Sequence, residues 1–298
     1  MSPATRLRAP PPPDNSGMAS NRERLRATFD QDAERYDRAR PGHPAALVAS
    51  LAGLAGIGAG RRVLEIGPGT GQLTVPLARL GGRITAVELG PNLAAVTRRK
   101  LARFPDARVV VTAFEDCPLP AEPFDAVVSA TAFHWIDPEI RFAKAAAALR
   151  PGGVLAIVGT EHVAGGTPGF FEEAQACYKR WDPGTPPDGV QLLAAANVMA
   201  RERRQADADL AATGLFAPAG FGGYEAEVSY STASYLDTLR TYSSTLGIDQ
   251  QAGEGLLRCL AGLIDSSYGG RITKRYLFWL YVARRPARDH DGSPAGGH

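Results

Sequence analysis

Apolar residues in this chain fall into short runs of four to seven, separated by longer stretches in which they recur at helical spacing. Arg62 to Ile66, Arg83 to Glu88, Arg108 to Thr112, Phe124 to Ala130 and Val154 to Val158 read as strands. Between them, Pro44–Leu54, Leu73–Leu80, Pro91–Phe104 and Glu139–Leu149 read as helices. A further charged helix is expected over Asn21–Arg38, with Leu25, Phe29 and Ala33 along one stripe, ended by Pro41-Gly42. Strands that are apolar throughout and alternate with helices predict an α/β fold. Its expected form is a doubly wound, mostly parallel, seven-stranded Rossmann-like sheet with right-handed crossovers.

The rhythm breaks after about residue 160, where Gly165-Gly166, Trp181-Asp-Pro-Gly184 and Pro186-Pro187 interrupt it. An inserted helical cap over 161–223 is expected, with a helix at about Val190–Thr213. The sheet then resumes over 224–285. Tyr224–Tyr230 alternates as an edge or antiparallel strand would, helices follow over Ala233–Thr245 and Gln250–Ser267, and Ile272–Ala283 forms the last strand. The expected organisation is therefore a disordered segment over 1–20, a core over 21–160, the cap, the returning sheet, and a disordered tail over 286–298. Met18 is an alternative start that the sequence leaves open.

Composition narrows the function classes. With 33 Lys+Arg against 31 Asp+Glu, a net charge of +2 gives no reason to expect nucleic acid or an anionic membrane as partner. The stretch Tyr276–Ala283 is too short to span a bilayer, and the N-terminus lacks the apolar core of a signal peptide. Cys117, Cys177 and Cys259 are odd in number, widely spaced and without a CxxC pair. They read as small buried thiols, which fits a reducing, cytoplasmic setting, and no metal site is expected.

The candidate chemistry sits in Val63-Leu-Glu-Ile-Gly-Pro-Gly-Thr-Gly71. Gly67, Gly69 and Gly71 follow a strand and precede a helix, so the backbone can take positive φ and a ligand can approach it closely. A nucleotide P-loop requires Gly-Lys-Ser/Thr, but Gln72-Leu73 follow Gly71. A dinucleotide fingerprint places its third glycine one position later than Gly71. A purely structural turn leaves Glu65, two residues before the triple glycine, without a role. Glu88 closes the second strand, where a carboxylate accepts from two ribose hydroxyls; this suits NAD and an adenosyl ligand alike.

This E-x-G-x-G-x-G turn resembles the first motif of the class I S-adenosylmethionine-dependent methyltransferases, and the similarity runs through residues 23–160 and more weakly to about 285. The resemblance implies S-adenosyl-L-methionine as cofactor, S-adenosyl-L-homocysteine as product, and no metal. It implies that the turn Gly67-Pro68-Gly69-Thr-Gly71, through its backbone amides, together with Glu65, meets the methionine end of the cofactor, and that Glu88 and Leu89 flank ribose and adenine. Ala113, Phe114 and Glu115 stand where the family contacts adenine, although Ala113 replaces a frequent carboxylate. Ser129, Ala130 and Thr131 are expected beside the cofactor, with Tyr36 and Arg40 closing over it. Ser129-Ala-Thr-Ala-Phe-His-Trp135 and Tyr36-Asp37-Arg38-Ala-Arg40 are similar to segments of small-molecule methyltransferases that act on trans-aconitate or quinone precursors.

The acceptor is then a small molecule methylated at O, N or C, and a source in secondary metabolism is inferred only from the cap. His134 is a candidate base for a hydroxyl acceptor, and equally a structural histidine. Trp135, Tyr178, Trp181 and Tyr242 are candidate pocket residues, although most aromatics at helical spacing pack. Two rivals remain. One is an NAD-dependent oxidoreductase, for which the chain offers no Tyr-x-x-x-Lys pair; the other is a cofactor-binding protein of this fold that does not methylate. Oligomeric state is not legible.

Overall fold

The computed structural model describes residues 28–287 except 243, 244 and 246. The expectations for the N-terminal segment with Met18, for Leu25, and for the tail beyond 287 lie outside the described residues.

Seven strands form one sheet in the order β3-β2-β1-β4-β5-β7-β6. They are β1 (Arg62–Ile66), β2 (Arg83–Glu88), β3 (Ala107–Val111), β4 (Phe124–Ala130), β5 (Leu149–Val163), β6 (Ala217–Ser231) and β7 (Arg271–Arg284). Pairings β1–β2, β2–β3, β1–β4 and β4–β5 are parallel, while β7 runs antiparallel to both its neighbours. The fold is thus α/β, Rossmann-like and mostly parallel, with one reversed strand. β7 is long and apolar from Tyr276 to Ala283 because it lies inside the sheet, whereas β6, the edge, alternates half-buried and exposed positions over most of its second half.

Helices α1 (Ala33–Ala39), α2 (Ala45–Ala55), α3 (Thr74–Arg79), α4 (Pro91–Leu101), α5 (Arg141–Ala148), α6 (Phe170–Trp181), α7 (Ala195–Thr213), α8 (Thr232–Leu239) and α9 (Gln250–Ser267) complete the described elements. Val63, Val128, Val154 and Phe278 bury into one face of the sheet with α2 and α3; Leu64, Val127, Leu155 and Tyr281 bury into the other with α5. The N-terminal elements are tied to this core by capping. Asp32 accepts from the Arg35 amide at the start of α1, and the Asp30 carboxylate accepts from the Asn92 and Leu93 amides, 2.9 Å each, in the first turn of α4.

Between β5 and β6 the chain differs from the rhythm its glycines suggest. β5 continues to Val163 and β6 begins at Ala217. Gly220 and Gly223 are strand residues that make room for neighbours: a Cβ on Gly223 would lie 2.5 Å from the Met199 sulfur, and one on Gly220 3.2 Å from Leu54.

The cysteine expectation is corrected. Cys177 on α6 and Cys259 on α9 form a disulfide, their Cα atoms 5.7 Å apart and 82 residues apart in sequence. The two helices pack face to face, so a pairing invisible in spacing becomes contact. Cys117 alone is a buried free thiol. The inference of a reducing compartment from three thiols loses its basis. Among the described residues no helix is long and apolar enough to cross a membrane.

Candidate functional site

The turn after β1 takes the conformation its glycines allow: φ is +65° at Gly67, +59° at Gly69 and +85° at Gly71. A Cβ on Gly67 would fall 2.4 Å from that of Ala132, so β1 and the segment after β4 meet at a place where only glycine fits. The turn is pinned by the next strand. Glu88 accepts from the Gly69 amide and from the Gly90 amide, both at 2.9 Å, and the Thr97 hydroxyl donates to the Gly69 carbonyl at 2.7 Å. The Gly67 amide donates to the Val87 carbonyl, and the Gly71 amide to that of Pro68. All three glycine amides are therefore used within the protein, which corrects the expectation that they are free for a ligand's carboxylate.

What the turn leaves open is acidic. Glu65 is 1% exposed and its Oε2 has no hydrogen-bond partner. Burial pushes its carboxyl up to about 7. Glu88 is also raised by burial, against the pull of the Gly90 and Gly69 amides. Its carboxylate has roughly four acceptor lone pairs, and the two amides leave about half of them open.

Both carboxylates line one cleft of about 820 Å³ at the carboxyl ends of β1, β2 and β4. This is where an open α/β sheet binds ligands. Tyr36, Arg40, Gly67, Pro68, Gly69 and Leu89 line it, as do Phe114, Ala130, Thr131, His134, Trp135 and Tyr242. Gly71 and Ser129 stand behind the wall. Gly71 packs on Thr97, and the buried Ser129 hydroxyl donates to the Ile66 carbonyl at 3.0 Å, joining β4 to β1. Ala113 and Glu115 are also outside it: the Glu115 carboxylate accepts from the Asp137 amide, and its carbonyl from Lys144. Tyr178 and Trp181 on α6 do not line the cleft: Trp181 covers Gly255 of α9 so closely that a Cβ there would be 2.3 Å from its ring, and the Tyr178 hydroxyl meets that of Tyr235 on α8. The amphipathic α6 buries this aromatic face on α8 and α9.

Thr131 is the one non-glycine residue with positive φ among those described, at +53°. Such backbone strain, stored at the lip of a cleft, is held by its surroundings; here the Thr131 amide donates to the Val158 carbonyl. His134 follows in a 3-10 turn, Phe133–Trp135. It is exposed at the rim, yet crowding by protein and the nearby Arg141 lower its pKa, so it is neutral near pH 7. Arg40 is wedged between two rings, 5.0 Å from Tyr36 and 4.5 Å from Tyr242, and donates to the Thr241 carbonyl at 2.6 Å. Its buried Nε has no partner, and neither has the Nε2 of Gln72, another lining residue.

The far wall holds residues that the sequence reading passed over. Lys274 on β7 is 3% exposed, and Tyr276 and His162 line the same wall. Lys274 Nζ donates to the Tyr242 hydroxyl at 3.3 Å; that hydroxyl lies 3.2 Å from Tyr276 Oη, which lies 2.9 Å from Tyr230 Oη. Burial raises the Tyr242 phenol, but Lys274 and Arg40 outweigh it and hold the group below its usual value. Tyr276 is raised by burial and its tyrosine neighbours. Burial, then Lys274, lowers His162 to about 2. The available signal was parity: Lys274 shares the inward positions of β7 with Ile272, Tyr276 and Phe278.

A family model for a methyltransferase domain matches residues 64–157. An uncharacterized methyltransferase of Mycobacterium tuberculosis is 35% identical over 141 residues, 47% of this chain and 55% of that protein. A demethylmenaquinone methyltransferase of Tropheryma whipplei is 29% identical over 149 residues, 46% of this chain and 59% of its own. The chain thus spans little more than half the length of the curated relatives it matches. Among solved structures, a protein of Anaeromyxobacter dehalogenans described as a type II methyltransferase superposes with a TM-score of 0.55 at 23% identity, over 84% of this chain and 99% of that one.

Proposed function

From the match of residues 64–157 to a methyltransferase domain, we propose that the chain is an S-adenosylmethionine-dependent methyltransferase acting on a small molecule at an O, N or C atom. One observation carries this reading. Glu65, a buried carboxylate with an unpartnered oxygen, lines the same cleft as Glu88 on either side of a glycine turn whose Gly67 admits no Cβ.

The residues fit the cofactor's chemistry. An adenosyl amino acid brings an ammonium, a carboxylate and two ribose hydroxyls. Glu65 accepts from the ammonium, and the open lone pairs of Glu88 accept from the ribose. Because the glycine amides are spent, the donors for the carboxylate are Arg40 Nε and Gln72 Nε2, both buried and unpartnered, on residues that line the cleft. Phe114 and Leu89 form the apolar slot for the base. When bound, S-adenosylmethionine supplies a methyl carbon on a sulfonium, open to a single displacement. The chain's own work is alignment and exclusion of water, and good alignment contributes roughly 7–11 kcal/mol. His134, neutral at pH 7 and at the rim of the cleft, accepts the proton of a hydroxyl acceptor.

Titration calorimetry with S-adenosylhomocysteine, and with NADH as control, tests the reading. The expected result is saturable binding of the first and none of the second. NADH binding without S-adenosylhomocysteine binding would replace the methyltransferase by an oxidoreductase.

A further inference from the structure

Lys274 is a buried ammonium with too few acceptors. Nζ carries three protons, and its one hydrogen bond goes to Tyr242 Oη at 3.3 Å. No carboxylate stands within ion-pair distance of it among the described residues. Instead its Nζ is surrounded by rings, 5.0 Å from the centroid of Tyr276, 5.2 Å from Tyr242 and 6.0 Å from Tyr235. Cation–π contact offsets part of the desolvation of an ammonium but fills none of its proton positions.

The charges around it leave this end of the cleft positive. Arg40 approaches the other face of the same Tyr242 ring. The acids of that wall, Glu161 and Glu202, are both engaged by Arg201, at 3.8 and 2.7 Å. His162, beside Tyr276, is neutral throughout the working pH range. The hydroxyls of Tyr242, Tyr276 and Tyr230 form a continuous chain that can turn its protons toward an acceptor placed by Lys274.

We propose that this wall is an oxyanion site: it seats an acidic oxygen of the methyl acceptor, a carboxylate or an ionised phenol or enol, on Lys274 Nζ and the Tyr242 hydroxyl. The word acceptor rests on the methyltransferase reading; the preference for an anion does not. The cleft is then polarised, with Glu65 and Glu88 receiving the cationic cofactor and Lys274 the anionic acceptor, so that each ligand is held off the other's end by charge.

The test titrates the full chain with benzoate against benzamide, and with ionised 4-nitrophenol against 4-nitroanisole, following binding by NMR, with and without S-adenosylhomocysteine. At least one anion is expected to bind tighter than its neutral partner by about tenfold or more, the range of a charge-assisted hydrogen bond. Lys274→Met is expected to abolish that preference and Lys274→Arg to retain it. Tyr242→Phe, which keeps the ring and its packing, is expected to weaken it severalfold and serves where Lys274→Met does not fold. Benzoate alone marks a carboxylate site, 4-nitrophenol alone a phenolate site. Equal binding of anion and neutral partner, no binding of either anion, or a preference that persists in both Lys274→Met and Tyr242→Phe would overturn the proposal. Loss of S-adenosylhomocysteine binding alone would count against the methyltransferase reading and leave the anion result standing.

Discussion

The two ends of the cleft differ in charge and in how the chain assembles them. The acidic end comes from one β-α-β unit: Glu65, the glycine turn and Glu88 lie within 24 residues, and Glu88 itself pins the turn. The basic end draws on Arg40, Tyr242, Lys274 and Tyr276, brought together only because β7 reverses direction and inserts between β5 and β6. A local site leaves a motif. A site built by long-range pairing leaves single residues with no spacing to mark them.

The sharpest way to separate the two ends is through the disulfide, which joins α6 to α9 on the side of β7. Reduction, or Cys177→Ser with Cys259→Ser, releases an 82-residue separation and is expected to cost up to about 4–5 kcal/mol of stability by the chain-entropy relation. Denaturant unfolding with and without reductant measures it, and affinity for S-adenosylhomocysteine is expected to stay within about twofold once folding is complete. Next, Gly67→Ala meets both a forbidden φ and Ala132, and is expected to destabilise by about 3 kcal/mol in the same unfolding measurement.

Glu65 gives a pH signature confined to the acidic end. Its folded carboxyl, near 7, lies above the reference of 4.5. Between those values the folded state holds more protons than the unfolded, so the group's contribution to stability falls as pH rises, by up to about 3 kcal/mol once pH exceeds 7. Glu65→Gln is therefore expected to raise the melting temperature of the free protein at pH 8 and to flatten its pH dependence. The same change weakens S-adenosylhomocysteine binding on the order of 30-fold or more, because the ammonium loses its anion. In the wild type, affinity rises with pH toward 7 as Glu65 ionises. The smallest effect belongs to His134→Ala. The side chain is exposed, so stability moves by less than about 0.5 kcal/mol, and the change shows instead as slower turnover of a hydroxyl acceptor with an altered pH profile.

Much of the frame was legible in the residues. β4 and α9 were read to the residue, and β1 and β2 equally, because each is a bounded run with one strong period. The sheet's far half was harder. Gly220 and Gly223 look like loop punctuation, yet in β6 they clear space for Leu54 and Met199. Tyr178 and Trp181 show why aromatic spacing misleads. An amphipathic helix presents one apolar face, and whether that face meets a cavity or another helix depends on α9, some 80 residues on. Ala113 and Glu115 failed to reach the cleft for a similar reason, since Glu115 turns to the Asp137 amide. Lys274 was missed because a lysine in a strand reads as solvated until the face it stands on is covered, here by the rings of Tyr235, Tyr242 and Tyr276.

One titration addresses the polarised cleft directly: S-adenosylhomocysteine against the wild type, Glu88→Ala and Lys274→Met. The expected result is tight binding to the wild type, a loss of about a hundredfold or more in Glu88→Ala, and a change within about threefold in Lys274→Met. No binding to the wild type, or losses of similar size in the two variants, would contradict the assignment of the cofactor to the acidic end.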